Sequence, residues 1–319
     1  DDVIVGSFCV SFFESKGEKH GLIDCVITAK KHRGRGIATS LLAESVKWLE
    51  HQGCDHLYAT VEGYNSPSWN MFVHNGFSFY DVPHQVKDLG GKTLIRLWSK
   101  EGYFFSIGNY FLKKTNTEKF KETGPAYHYL LGWVGLTLPW LILGLVWGSS
   151  LAAFPFLVVL ALISILCHEW SHKLVAGILG IRTHFRANEP GLMLNLLLSV
   201  IGGSYPFYGS TYVKQRDWSY FKNKGKNAAI FLVGPIISAS LAFFFSLAAR
   251  DLAVSSVFRN ALGIASTLNG IIAIVNLIPI YTSGGFPWDG VKVYRWNRAI
   301  WLLWTAGIVV FILSYPYWM

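Results

Sequence analysis

Charged residues are scarce in this sequence, and acidic residues are scarcest in its second half. Only 15% of the 319 residues are charged, whereas about a quarter are charged in typical soluble domains. Residues 106–319 hold 7 Asp and Glu against 17 Lys and Arg, while residues 1–105 are nearly balanced at 12 and 11. The low charged fraction excludes a disordered chain and an ordinary cytosolic enzyme, and the uneven distribution predicts two domains with different solvent preferences.

Cysteine pairs and extended basic tracts are also missing. The four cysteines form no CxxC pair, so neither a disulfide framework nor a cysteine-based zinc site is expected. The net charge of +9 lies in short clusters between long uncharged runs, a pattern typical of the cytoplasmic loops of membrane proteins. We therefore expect a lipid bilayer, and no nucleic acid, among the partners of the chain.

The second half of the chain contains long runs without charged residues. Residues 123–167 contain no Asp, Glu, Lys or Arg, which leaves room for two spans of about 20 residues each. With the later runs, five spans are predicted, near 127–147, 152–179, 228–249, 257–280 and 299–317. The bias of Lys and Arg in the loops predicts a multi-pass membrane protein whose N-terminal domain is cytoplasmic.

The uncharged run 190–213 is interrupted by glycine and proline, and we predict a re-entrant or membrane-surface element there. Residues 201–214 combine glycines with Tyr and Val, which favours a β-hairpin that presents an edge to an extended substrate. A plain interfacial loop is an equal alternative.

The first hundred residues show the patterns of a mixed α/β domain. Apolar, β-favouring runs predict strands at 3–13, 22–28, 56–61 and 93–98, and helical spacing predicts helices at 38–52 and 67–74. The chain is thus predicted to be a two-domain membrane protein with an α/β soluble domain followed by a polytopic α-helical membrane domain. The boundaries are 1–100 for the first domain, 101–126 for a basic linker and 127–319 for the second domain.

A metal-site pattern lies within the second predicted span, His168-Glu169-Trp170-Ser171-His172. Residues at i and i+4 share one helix face, so both imidazoles can reach one metal ion. Glu169 stands beside the first of them, where it can accept a proton from a water molecule. Packed or helix-capping histidines are the alternative, although such polar residues are costly at membrane depth unless they are paired or functional.

A catalytic zinc site needs a third protein ligand and an open position. Between residues 229 and 319 the only acids are Asp251 and Asp289. Asp251 is interpreted as a loop charge, whereas Asp289 ends a 29-residue uncharged run. The predicted topology returns Asp289 to the side of the membrane near which His168 and His172 lie, so Asp289 is the candidate third ligand.

Three motifs in order resemble the site-2 protease family of intramembrane zinc metalloproteases over about residues 127–298. They are the HEWSH segment, Gly234-Pro235, and Asn276-Leu277-Ile278-Pro279 followed by Asp289-Gly290. The resemblance implies Zn²⁺ bound by His168, His172 and Asp289, with Glu169 as the base. It also implies that Asn276 contacts the substrate or orders the site, and that the substrate is a membrane-anchored protein. The 13 residues from Asn276 to Asp289 exceed the family's usual separation by about five.

A glycine-containing basic loop, residues 32–39, lies between a predicted strand and a predicted helix. Backbone N–H groups at such a helix start can bind a pyrophosphate, although a basic turn is the alternative. With Asn65-Ser66-Pro67-Ser68 and Asn75-Gly76-Phe77, the loop resembles the GCN5-related N-acetyltransferase fold over about residues 1–98. The resemblance implies binding of acetyl-CoA or CoA, for which the candidate residues are Arg33, Gly34, Arg35, Gly36, Ala38, Thr39 and Asn65.

The sequence departs from the pattern of the acetyltransferase family in two places. Phe72 stands where that family commonly has a tyrosine general acid, and the family's first strand and two helices are absent before Asp1. We therefore expect an N-terminal domain that is incomplete at its start. Asp24 lies roughly where some members place a general base.

Three hypotheses follow from the sequence. The first is an intramembrane zinc metalloprotease whose acetyltransferase-like domain binds CoA as a regulator. The second is a membrane-tethered acetyltransferase anchored by its protease-like half. The third, a transporter, is weaker because no repeat of the spans is visible and the acids are few.

Overall fold

The computed structural model describes residues 3–115, 123–148, 151–204, 207–213, 223–281 and 287–314. It divides into two compact units. The first comprises Asp1–Tyr103 and Asn109–Thr123, and the second comprises Phe104–Gly108 and Gly124–Met319. An α/β unit followed by a helical unit confirms the predicted fold class.

The first unit is built on a five-stranded sheet. The strands are β1 Gly6–Ser15, β2 Glu18–Thr28, β3 His56–Glu62, β4 Phe77–Phe79 and β5 Asn109–Lys114, and the helices are α1 Ile37–His51, α2 Ser66–His74 and α3 Val82–Glu101. The strand order is β1-β2-β3-β5-β4. The β2–β3 pair is parallel, and the other neighbours are antiparallel.

The helix α1 connects the two parallel strands, and its sequence explains its packing. Leu42, Val46 and Leu49 recur at helical spacing and are buried, which is the pattern of an amphipathic helix that covers a sheet. Its N-terminus directly follows Gly36, which adopts a left-handed conformation with φ of 80°. The basic loop is thereby placed at the carboxyl end of β2.

The parallel ladder between β2 and β3 is short. It runs from His20↔His56 to Ile23↔Ala59, although β2 continues to Thr28 and β3 to Glu62. The two strands therefore separate towards their carboxyl ends. The resulting gap opens at the same end of the sheet as the loop that precedes α1.

Two predictions about this unit are wrong. Residues 93–98, predicted as a strand, belong to α3, because Leu89, Leu94 and Leu97 lie on a buried helical face. The basic linker predicted at 101–126 contains β5, whose residues Tyr110 to Leu112 are buried and whose ladders with β3 and β4 complete the sheet. Residues 116–122 of that linker lie outside the described residues.

The second unit is helical, and four of its described helices are long and apolar enough to cross a membrane by length and composition. They indicate a membrane protein. A further apolar helix, described over 17 residues, corresponds to the fifth predicted span. The bounds are α4 Pro125–Trp147, α5 Phe154–Ile178, β6 Thr183–Ala187, α6 Glu189–Val200, β7 Gly209–Val213, α7 Lys224–Asp251, α8 Ser256–Leu277, α9 Asp289–Trp296 and α10 Arg298–Ser314.

The predicted β element is present with a different partner. The strand β7 pairs antiparallel with β6, in register from Thr183↔Val213 to Ala187↔Gly209. The helix α6 lies between the two strands in sequence, so the described residues of this segment, 201–204 and 207–213, form no hairpin of their own. The strand β6 had no sequence signal of its own, because its five residues begin shortly after the second predicted span and include a histidine and an arginine.

Candidate metal centre

Two imidazoles and one carboxylate converge inside the helical unit. His168 and His172 lie on α5, Asp289 is the first residue of α9, and all three are buried. Each offers one ligand atom, and these atoms lie within 4.8 Å of one another. The Nε2 atom of His172 is 3.6 Å from Oδ2 of Asp289. Two histidines with one carboxylate form a ligand set found in catalytic zinc sites.

The helix α7 orients both imidazoles through one stripe of residues at i, i+4 and i+8. The Nδ1 atom of His172 lies 2.6 Å from the carbonyl oxygen of Ile230, and Nδ1 of His168 lies 2.8 Å from Oγ of Ser238. Because a carbonyl oxygen can only accept, Nδ1 of His172 carries a hydrogen, and in the neutral imidazole this leaves the lone pair on Nε2. This arrangement is the usual second layer of a histidine-bound metal site.

Gly234, the middle residue of that stripe, leaves the space that a metal ion needs. A Cβ atom at this position would overlap the Nε2 atoms of both His168 and His172. The open volume in front of the two nitrogen atoms therefore depends on the absence of a side chain. The two imidazoles and the carboxylate are donors that zinc prefers, and the space in front of them is open. The residues present therefore fit a zinc ion.

The end of α8 positions the third residue of the group. A Cβ atom on Gly290 would overlap the carbonyl oxygen of Leu277, so only glycine lets the start of α9 pack against this end. Asp289 is thereby set beside the histidines of α5, although residues 282–286 of the connection lie outside the described residues.

Glu169 is buried next to the histidines and is held by hydroxyl groups. Thr211, in β7, donates a hydrogen bond from Oγ1 to Oε2 of Glu169 at 2.7 Å. The hydroxyl of Tyr208 also hydrogen-bonds the carboxylate, and the Tyr208 ring packs edge-on against the imidazole of His168, with centroids 6.3 Å apart. The carboxylate is therefore fixed at the boundary between α5 and the small sheet.

Asn276 is placed differently from the other candidate residues of this half. Its side-chain amide donates to the carbonyl oxygen of Ile272, one turn back in α8, at 3.0 Å. It is half-buried at the end of the helix. The described hydrogen bond ties Asn276 to its own helix, and its suggested part in substrate contact remains a prediction.

In the first unit, the structure places the predicted CoA loop at the start of α1. Arg33 and Arg35 are exposed, and Gly34 and Gly36 have positive φ angles of 77° and 80°. The guanidinium of Arg33 donates to the carbonyl oxygen of Thr28 at 3.2 Å. Ala38 and Thr39 lie in the first turn of α1, which contains no acidic residue, so the helix start favours an anion.

Asn65 and Phe72 have structural roles in this unit. The Asn65 side chain caps α2 by accepting a hydrogen bond from the backbone N–H of Ser68 at 3.3 Å. Phe72 is buried and packs edge-to-face against Phe77, with ring centroids 5.1 Å apart. The packing explains Phe72 as a core residue.

A buried carboxyl group lies beside the gap between β2 and β3. Thr60 directly follows the last residue of β3 that pairs with β2, and it donates to Oε2 of Glu101 at 3.1 Å. The pKa of Glu101 is raised to about 7, mainly by burial; the Thr60 hydrogen bond opposes this shift, and the nearby carboxylate of Asp24 adds to it. Burial also raises the pKa of Asp24.

Sequence reasoning identified the three converging residues and Glu169, and it missed their supports. The supports are Tyr208, Thr211, Ile230 and Ser238. Ser238 carried a weak signal, because it lies one helical turn after Gly234 of the second motif. The others carried none, since a backbone carbonyl and the register of β7 leave no mark in the sequence.

The comparisons with known proteins divide the chain in the same way. The profile of the Acetyltransferase (GNAT) family matches residues 1–77, and this part of the chain is a GNAT acetyltransferase domain. Over 152 residues, or 47% of this chain and 75% of the relative, the sequence is 29% identical to "Putative zinc metalloprotease MJ0611" of Methanocaldococcus jannaschii. The chain therefore joins a GNAT domain to a part similar to a protein named as a zinc metalloprotease.

Among solved structures, a chain of the NatC complex bound to Gag peptide and CoA is 17% identical to this one. The match has a TM-score of 0.26 and covers 35% of this chain and 62% of that chain. It spans less than two thirds of the NatC chain.

Proposed function

We propose that the helical part is an intramembrane zinc metalloprotease of the site-2 type. The observation that carries the proposal is the convergence of His168, His172 and Asp289 around the space left by Gly234, with Glu169 beside it. The histidines lie on α5, one of the four helices that are long and apolar enough to cross a membrane. A hydrolytic site at that depth fits a substrate that is itself anchored in the bilayer.

In this proposal each polar residue has a defined part. His168, His172 and Asp289 would hold Zn²⁺, and a bound zinc ion would supply a Lewis acid for the scissile carbonyl and lower the pKa of water to about 7. Glu169, held by Thr211, accepts a proton as the water oxygen attacks the carbonyl carbon. Glu169 then gives that proton to the leaving amine as the C–N bond breaks.

The small sheet suggests how the substrate is presented. Within the described residues, β7 pairs with β6 along one edge, and it carries the Thr211 that contacts Glu169. An extended peptide added along the other edge of β7 would pass next to the proposed base. A helical substrate must unwind first, because a helix hides its carbonyls in its own hydrogen bonds.

The orientation of the chain in the membrane is also part of the proposal. The bias of Lys and Arg towards the loops of one side supports a cytoplasmic N-terminal domain.

The test is cleavage of a single-span reporter by the purified full chain in lipid vesicles. The masses of the products locate the cut relative to the span, and chelator treatment followed by zinc tests the need for metal. We expect a cut in or next to the span that chelator abolishes and zinc restores. Cleavage that survives the chelator, or that falls only in distant soluble segments, would contradict the proposal.

For the GNAT domain we propose that CoA or acetyl-CoA binds and regulates the protease. The loop with Arg33 and Arg35 at the start of α1 fits the pyrophosphate, and the gap between β2 and β3 fits an extended arm that contains amide groups. Calorimetric titration of the full chain with CoA tests this. We expect saturable binding of CoA by the wild type. The double variant Arg33→Ala/Arg35→Ala should bind at least tenfold more weakly, and the exposed-site control Lys47→Ala should bind as the wild type does. Equal binding by all three proteins would contradict it.

A second candidate function for this domain is acetyl transfer to an amine. Glu101 favours it, because a carboxyl group with a pKa of about 7 beside the gap can accept the proton of an incoming ammonium group. The assay is transfer of labelled acetyl groups from acetyl-CoA to amine acceptors by wild type and Glu101→Gln. Transfer that Glu101→Gln abolishes without loss of CoA binding would favour this function over regulation alone.

A further inference from the structure

Lys292 is buried beside the candidate metal centre, and the site described so far gives it no role. Its side chain is 0% exposed, and a lysine is almost never fully buried unless its charge is paired. Its Nζ atom lies 3.0 Å from Oδ1 of Asp289, three residues earlier in α9. Lys292 therefore contacts one of the three converging residues directly.

The two oxygen atoms of Asp289 have different neighbours. Oδ1 accepts from the ammonium of Lys292, while Oδ2 faces Nε2 of His172 at 3.6 Å. Rotation of the carboxylate about its last bond would exchange these two environments. The hydrogen bond from Lys292 opposes that rotation and leaves Oδ2 directed at the space that the histidines share.

Phe231 of α7 holds the ammonium group in place. The Nζ atom of Lys292 lies 3.4 Å from the centroid of the Phe231 ring, within the range of a cation–π contact. The same ring lies 5.7 Å from the imidazole of His172, and Phe231 directly follows Ile230, whose carbonyl oxygen orients that imidazole. Ile230, which orients His172, and Phe231, which holds Lys292, are thus neighbours on one turn of α7.

We propose that Lys292 is a positioning residue for the metal centre. It orients the Asp289 carboxylate through Oδ1, so that Oδ2 is presented as the ligand atom. The inference rests on the proposed function, since it assumes that the three residues bind a metal ion. It adds a specific role for a residue outside the ligand set and assigns one Asp289 oxygen to the metal.

The test is metal binding by the purified full chain, measured as zinc affinity in competition with a chromogenic chelator. Loss of an outer partner of a metal ligand typically weakens metal binding by about 10- to 100-fold, and we expect this for Lys292→Met. Lys292→Arg keeps a cation that can donate to Oδ1, so it is expected to recover affinity to within a few-fold of wild type. Lys226→Met removes an exposed lysine of α7 and is expected to bind zinc as wild type does.

Cobalt substitution gives a second readout, because the visible spectrum of Co²⁺ reports the arrangement of its ligands. We expect an altered spectrum for Lys292→Met and a wild-type spectrum for the Lys226→Met control. If Lys292→Met does not fold, as judged by circular dichroism, Phe231→Leu carries the test. It removes the ring under the ammonium and should change the Co²⁺ spectrum and weaken zinc binding a few-fold.

Wild-type zinc affinity with an unchanged Co²⁺ spectrum in folded Lys292→Met would overturn the inference. The same result in Phe231→Leu would overturn it where Lys292→Met does not fold. Failure of the wild-type chain to bind zinc at all would instead contradict the proposed function. The two failures are therefore distinguishable.

Discussion

The Nε2 atom of His172 lies 3.6 Å from Oδ2 of Asp289, although one residue lies near the end of α5 and the other begins α9. The contact depends on α7, which packs against both helices. Ile230 of α7 fixes the imidazole, and the neighbouring Phe231 packs against the lysine that holds the carboxylate. The candidate centre is therefore a product of helix packing around α7 as much as of the HEWSH segment.

Gly234→Ala is expected to abolish metal binding. The added Cβ would overlap the Nε2 atoms of His168 and His172, so the imidazoles must move, and overpacking of this kind typically costs about 1–3 kcal/mol. Zinc content after purification is the measurement, with Gly263→Ala in α8 as the control, because a Cβ atom there meets nothing within 4 Å. Full zinc occupancy in Gly234→Ala would contradict the described geometry.

Ser238→Ala is expected to weaken zinc binding by about 10- to 100-fold, because His168 loses the partner of its Nδ1 atom. The matched control is Ser240→Ala in the same helix, since the Ser240 hydroxyl donates only to the carbonyl oxygen of Ile236 within α7. Zinc affinities from chelator competition compare the two variants. Equal affinities would show that the Ser238 contact does not support the site.

Thr211→Val tests the placement of the proposed base. It keeps the shape of the side chain and removes the hydrogen bond to Glu169, a bond to a carboxylate that is worth about 1.5–3 kcal/mol. We expect reporter cleavage to slow by about tenfold or more with zinc content unchanged. Thr267→Val, whose hydroxyl bonds within its own helix, should leave both unchanged, and a wild-type rate in Thr211→Val would remove Thr211 from the mechanism.

The pKa of Glu101, about 7, predicts how stability depends on pH. Between its ordinary pKa of 4.5 and 7, the folded domain keeps a proton that the unfolded chain loses. The stabilisation is therefore fully present below pH 4.5 and is lost as pH rises through 7, by up to about 1.4 kcal/mol per pH unit. Glu101→Gln should flatten this decline in thermal unfolding measured from pH 5 to 8, whereas the exposed-site control Glu44→Gln should not. An unchanged slope in Glu101→Gln would contradict the raised pKa.

The chemistry of the candidate site could be predicted from the sequence because each acting side chain leaves a local signal. The i, i+4 spacing marks His168 and His172, and the scarcity of acids isolates Asp289. The supports could not be predicted in this way. The role of Ile230 is that of a backbone carbonyl, which every residue has, and Thr211 reaches Glu169 only through the register of the β6–β7 pair.

The fold was predictable where periodicity was long and regular, as in the apolar helices and in α1. It was not predictable at α3, where Gly90 and Gly91 interrupt the helical pattern and Gly90 has a non-helical φ of 65°. It was also not predictable at β5, because Lys113 and Lys114 suggest a solvated linker. In the folded unit these two lysines pair with Asp88 and Glu50, which lets a strand with basic residues join the sheet.

The central claim is that the helical unit is a zinc protease in which Glu169 acts as the base. Wild type and Glu169→Gln would be purified in parallel, with zinc content and reporter cleavage measured on the same samples. We predict equal zinc content, because Glu169 is not among the three converging residues, and loss of cleavage in the variant. Full cleavage by Glu169→Gln, or wild-type protein that contains no zinc after loading, would contradict the account.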